Sequence, residues 1–236
     1  MYNDIEKIEK EVEILMINQE IKSRIEKTME NLRKNNMEAY FCDTKEDVCT
    51  LVKTLINNGD VISSGGSQTL KETGVYDIIT SSDYKYLDRS APGITREEVE
   101  AVYRKTFSAD AYFASSNAIT ENGQLYNVDG NSNRVAAILY GPKSVILVCG
   151  YNKIVKNLDE AVNRVKCIAA PKNTIRLELN TYCGKTGKCV SLNNEDSEMC
   201  SGCQSEGRVC CNYVVSAQQR HKNRIKVIIV GEEYGY

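Results

Sequence analysis

The chain lacks any apolar run approaching the ~20 residues that cross a bilayer, which argues against membrane insertion. It also lacks a dominant charge. Its 30 Lys and Arg nearly balance 32 Asp and Glu, for a net charge of −2. No global field therefore favours nucleic acid or an anionic membrane as partner. The start, Met1-Tyr2-Asn3-Asp4-Ile5-Glu6-Lys7, has neither the basic opening nor the apolar centre of a signal peptide, so a cytoplasmic location is expected. There is one histidine, His221, ten residues beyond the last cysteine and among charged neighbours. It reads as a surface residue and not as a ligand. No internal repeat or low-complexity linker is visible. An apolar content of 42% over 236 residues suffices for a large core.

What the chain does have is cysteine. Six of its ten cysteines fall between Cys183 and Cys211, spaced as Cys183, Cys189, Cys200, Cys203, Cys210 and Cys211. The other four, Cys42, Cys49, Cys149 and Cys167, are scattered through apolar or helical stretches. In a reducing compartment, clustered thiols point to metal before disulfides, and an export signal for a disulfide scaffold is missing. Only Cys200 and Cys203 show the two-residue gap of a zinc knuckle, whereas a zinc ribbon prefers two such gaps. Irregular spacing, interspersed glycines and no adjacent His suit a 4Fe-4S cluster, with Zn as the alternative. Neighbouring Cys210 and Cys211 do not both reach one metal comfortably. Cys183, Cys189, Cys203 and Cys210 are the expected ligands, with Cys200 as the substitute. Lys185, Lys188 and Arg208 would offset their charge. A Gly- and Ser-rich loop of this kind has little core of its own and would be ordered by its metal.

The hydrophobic pattern predicts an α/β fold, a mostly parallel sheet with helices on both faces. Residues 1–36 are expected to hold one amphipathic helix, ending at Asn35-Asn36. Residues 37–236 form the α/β domain, with a Cys-rich metal-binding insertion at 181–212. Strands are predicted at 39–42, 61–63, 77–80, 111–115 and 145–149, and a last buried strand at 224–231. Thr44 with Asp47, and Thr95 with Glu98, have capping-box spacing. A hairpin is expected to turn at Glu121-Asn122-Gly123.

Two polar segments stand out. Ser64-Gly65-Gly66-Ser67-Gln68-Thr69 joins a strand to a helix, and such a turn can hold a phosphate or carboxylate. It is neither a Walker loop nor the three-glycine dinucleotide fingerprint, and a plain tight turn capped by Ser67 is the simpler alternative. The second segment runs from Asn117 to Arg134. Here Asn117, Asn133 and Arg134 are candidate anion ligands, and Glu121 and Asp129 are candidate acids or bases. Turn chemistry alone would also place Asn, Asp and Gly there.

These segments together resemble a known family. Gly65-Gly66-Ser67-Gln68-Thr69-Leu70, Ser116-Asn117-Ala118-Ile119-Thr120-Glu121-Asn122-Gly123 and Asn127-Val128-Asp129-Gly130 through Asn133-Arg134 are similar to the LUD domain of lactate-utilisation protein C and its relatives. The likeness extends over most of residues 15–236, through Gly141-Pro142, Gly150-Tyr151-Asn152-Lys153-Ile154 and Val227 to Glu232. It implies a fold similar to ribose-5-phosphate isomerases and CoA transferases, in which a glycine-rich turn contacts phosphate. It further implies a role in an iron–sulfur complex oxidising lactate to pyruvate. The Cys loop departs from the simplest members and is closer to a branch with a C-terminal cysteine cluster.

Three functions compete at this point. One is an oxidoreductase, or a subunit of one, with a redox partner subunit and a small anionic metabolite. Another is a non-redox isomerase or transferase with a structural Zn, binding a phosphorylated or CoA ligand, with Glu121 as base. The third is an interaction module whose N-terminal helix docks to a partner or to a second copy of the chain, unless its apolar stripe packs on its own sheet.

Overall fold

The computed structural model describes residues 19–236. The expected helix therefore lies partly outside the described residues, and its visible part, α1, spans 19–34. Ile25, Met29 and Leu32 recur at helical spacing and are buried against the sheet, so this stripe packs on its own domain. The chain leaves α1 through Asn36, in the left-handed conformation that Asn tolerates.

The main sheet is built from β1 (Glu38–Cys42), β2 (Val61–Ser64), β3 (Lys85–Tyr86), β4 (Ala111–Ala114), β7 (Ser144–Gly150) and β10 (Ile225–Val230). Their order is β1-β10-β7-β4-β2-β3, and every pairing is parallel. β7 and β10 read as continuous apolar runs because both their faces are covered. One face carries α1 and α6 (Asn133–Tyr140). The other carries α2 (Lys45–Leu55), α3 (Gln68–Glu72) and α4 (Val75–Ile79). The two capping boxes form as expected, Thr44 with Asp47 opening α2 and Thr95 with Glu98 opening α5 (Arg96–Lys105).

A second sheet has the order β8-β5-β6-β9, from β5 (Ala118–Thr120), β6 (Leu125–Asp129), β8 (Ile154–Val155) and β9 (Asn212–Ser216). β5 and β6 form the expected hairpin. Gly123 sits at its tip with φ +74°, and an added Cβ would lie 2.5 Å from the backbone of Asn31 and Leu32. Only glycine lets the tip lie this close against α1. α7 (Leu158–Arg164), a π turn (Val165–Ala169) and α8 (Ala170–Arg176) run as one continuous helix beneath this sheet.

One expected strand is corrected: residues 77–80 belong to α4 and its C-cap. Gly74 turns left-handed, and Val75 and Ile79, four apart, bury the same helical face. The cysteine segment opens within α9 (Tyr182–Thr186), which carries Cys183, and leads directly into β9, which pairs with β6 along its whole length.

Candidate functional site

Beyond the carboxyl ends of β2 and β4, the place where open α/β sheets hold ligands, lies a crevice of about 760 Å³. The turn after β2 supplies Ser64, Gly65, Gly66 and Ser67. The hairpin and α6 supply Asn117, Asp129, Asn133 and Arg134. The two polar segments thus converge on one cavity. Its basic side chains are Lys71, Arg89, Arg134, Lys153, Arg176 and Arg208, against the carboxylates of Asp129 and Glu206. This excess of cations suits an anionic ligand.

Ser67 caps α3 by accepting a hydrogen bond from Leu70 N, and the Ser64 hydroxyl is 2.7 Å from that of Tyr86. Gly66 has the more telling surroundings. A Cβ there would sit 3.1 Å from an Arg89 guanidinium nitrogen and 3.8 Å from one of Arg176. The absent side chain leaves room for a ligand anion between two guanidiniums. Sequence reading did not single out Arg89 or Arg176, because neither belongs to a dense polar motif.

Arg134 points elsewhere. Its Nη1 donates to Ser115 O and Asn127 Oδ1, and its Nη2 to Asn117 Oδ1 and Val128 O, at 2.7 to 3.2 Å. Asp129 stands 3.6 Å from Arg134 Nε and accepts hydrogen bonds from the amides of Ser132 and Val135. Asn117 and Arg134 fasten the hairpin to α6, while Asn133 lines the crevice. Thr69 is buried and accepts a 2.9 Å hydrogen bond from Lys153 Nζ. Glu121 lies outside the lining of the crevice, at the hairpin tip, where it accepts hydrogen bonds from Lys27 (2.8 Å) and Arg24 (3.1 Å). The Lys27 hydrogen bond, aided by Arg24, holds its carboxyl below the usual range despite burial. That state suits an anchor better than a proton acceptor.

Lys153 is the buried cation of the crevice floor, 2% exposed. Burial pulls its ammonium down to about 8; Arg164 and Arg134 add to this, and Cys149 and Glu72 oppose it. In the sequence Lys153 stood out only as part of the family-like run Gly150–Ile154, and nothing placed it near Gly65.

The cysteines form a second, smaller pocket. Cys183, Cys189, Cys203 and Cys210 line one void of about 20 Å³, with Tyr126, Val165, Lys166, Ala170 and Tyr213. Cys200 is exposed and outside that lining. Among the described residues, no three Cys, His, Asp or Glu side chains form a ready-made single-ion site. Burial raises the Cys203 thiol, but hydrogen bonds from Ser205 and the Tyr182 backbone and the charge of Arg208 outweigh it, and the net shift is downward. Burial raises Cys210 despite Tyr213 and Arg208. Arg208 binds the loop together, donating to the carbonyls of Cys200, Cys203 and Cys210 at 2.8 to 3.0 Å. Lys185 and Lys188 are exposed, and the second cation at the pocket is Lys166. The Tyr126 hydroxyl is buried and has no hydrogen-bond partner among the described residues.

The two cavities share a wall. Val165 and Ala170 line both, and Gly207, Arg208 and Val209 of the cysteine segment line the crevice.

The LUD domain family model matches residues 25–230. No curated protein matches the chain. Among solved structures, a DUF162 family protein from Deinococcus radiodurans is 17% identical, covers 90% of this chain and 98% of its own, and has a TM-score of 0.47. The beta subunit of eIF2B from Chaetomium thermophilum is 18% identical over 49% of this chain and 41% of its own, with a TM-score of 0.32. Among the described residues, no helix is long and apolar enough to cross a membrane.

Proposed function

The chain belongs to the LUD domain family, which is associated with lactate utilisation, and from that premise we propose that it is a redox protein for a small anionic metabolite. The metabolite occupies the crevice, and an iron–sulfur cluster is held by Cys183, Cys189, Cys203 and Cys210. One observation carries this reading: four thiols, Cys183 on α9 and three from the segment after it, meet in a single pocket that shares a wall with a cationic crevice.

The donor set fits a cluster. It is all sulfur, the four thiols line one pocket, and an orphaned Tyr126 hydroxyl in the same lining stands ready to donate to a sulfur. When bound, such a group supplies one-electron transfer. The protein's own residues do the rest. Arg89 and Arg176 hold the anion over Gly66, Val165 and Ala170 separate ligand from thiols, and Arg208 fixes the loop by three carbonyls.

The size of the crevice favours a second reading. About 760 Å³ exceeds what a three-carbon acid fills and falls in the range of larger ligands, ~300–1,000 Å³. A phosphorylated or CoA ligand, with a structural Zn at the cysteines, would use that room. Protein prepared without oxygen separates the two. Iron and acid-labile sulfide, with a visible absorption that bleaches on reduction, are expected. Stoichiometric Zn without iron would overturn the redox reading and leave the second.

A further inference from the structure

Lys153 has the surroundings of a reacting amine. It closes the short turn Tyr151–Lys153 between β7 and β8, on the floor of the crevice. Its Nζ donates 2.9 Å hydrogen bonds to Thr69 Oγ1 and Ser115 Oγ. Among the described residues, no carboxylate lies within ion-pair distance of it. A buried ammonium without a counter-ion in contact is costly; Arg164 and Arg134 nearby make it costlier, and Cys149 and Glu72 offset only part of that cost. A structural lysine would be expected to pair with a carboxylate or to extend its amine into water. A desolvated lysine beside other cations is instead the form in which an amine becomes a nucleophile.

The same crevice offers an anion seat at Gly66, between Arg89 and Arg176. Gly66, Arg89, Arg176 and Lys153 all line this one crevice, so a ligand held at the seat shares its cavity with Nζ.

We propose that Lys153 forms an imine with the carbonyl carbon of a compound that carries a carboxylate or phosphate, such as a 2-oxo acid. The amine lone pair attacks the carbonyl carbon, a C–N bond forms, and the nitrogen gives up its protons. The carbonyl oxygen takes up two protons and leaves as water. The hydroxyls of Ser115 and Thr69, already bonded to Nζ, are positioned to pass these protons. No oxidant or reductant is consumed. The proposal rests on the crevice taking an anion, as argued above, and is independent of what the cysteines hold.

The full-length protein is incubated with pyruvate, or separately with dihydroxyacetone phosphate, then reduced with borohydride, digested and mapped by mass spectrometry. One secondary amine on the Lys153 peptide is expected, from whichever probe carries the preferred anion. Its yield should rise as pH passes through about 8 and fall when oxalate or inorganic phosphate is added. Exposed Lys34 and Lys105 serve as internal references in the same digest. Labelling of those lysines without enrichment at Lys153 overturns the proposal, and needs no variant that must fold. A Lys153→Arg protein that remains folded should lose the adduct, and retention of the mass shift would refute the assignment. Thermal-shift titration with oxalate and phosphate distinguishes the two levels of failure. Anion binding without capture removes the imine alone, whereas no anion binding removes the crevice reading as well.

Discussion

The guanidinium of Arg134 is committed to the protein's own frame. It donates to two backbone carbonyls and two Asn side chains, joining the end of β4 to the hairpin and α6. Two of the five asparagines between residues 117 and 134 have their explanation here: Asn117 and Asn127 are acceptors for this one cation. The sequence made the segment conspicuous but not its purpose, because every partner lies outside the local turn. Arg134→Lys keeps the charge but loses the planar fork and strands buried acceptors. A loss of about 2–4 kcal/mol in urea unfolding is expected, larger than the effect of a surface charge change. The grouping of the cysteines was more legible, since thiol chemistry and spacing favoured Cys183, Cys189, Cys203 and Cys210 as one set, and these four line one pocket. The orphaned Tyr126 hydroxyl was not legible, because nothing in the sequence shows that β6 passes under the cysteine loop. If it donates to a cluster sulfur, it stabilises the reduced form. Tyr126→Phe should then bind the same iron with a more negative midpoint potential, and an unchanged potential at equal iron content would place the hydroxyl elsewhere.

At the scale of elements, the contact between α1 and the β5–β6 hairpin shows how a polar motif can serve architecture. Gly123 allows the close approach, Asn31 and Asn35 donate to carbonyls of the tip, and Glu121 is clamped by Arg24 and Lys27. Because the Glu121 pKa is lowered on folding, its contribution is full above the ordinary carboxylate value of 4.5. It is lost as pH falls through the lowered native value. Lys27 and Arg24 remain partly in solvent, so the effect is modest and sensitive to salt. Glu121→Gln should unfold at lower urea than the parent at neutral pH, and the gap should close in acid. Most elements were readable from periodicity, including both capping boxes and the hairpin. The errors have separate causes. The stretch 77–80 is short and apolar, so its period could not separate strand from helix, and β9 is half-exposed and was masked by the adjoining cysteines.

At the scale of the molecule, the cysteine segment is both a pocket of its own and a wall of the crevice. Between α9 and β9 its regular structure is one short turn, Val190–Asn193. Its order therefore depends on Arg208, on packing against the π turn and α8, and on whatever the thiols hold. Gly207, Arg208 and Val209 reach the ligand side from the same loop that carries Cys203 and Cys210. A change at the thiols that moves these residues is then expected to alter anion affinity, and linkage makes such an effect reciprocal. Iron-depleted protein should bind pyruvate or oxalate more weakly than iron-loaded protein by calorimetry, and should be cut more readily by protease within 187–211. Conversely, saturating anion should slow the loss of iron to a chelator and, where the oxidised and reduced forms bind it unequally, shift the midpoint potential. Equal affinities in the two forms, together with a potential indifferent to ligand, would show that the shared wall at Val165 and Ala170 insulates the pockets instead of joining them.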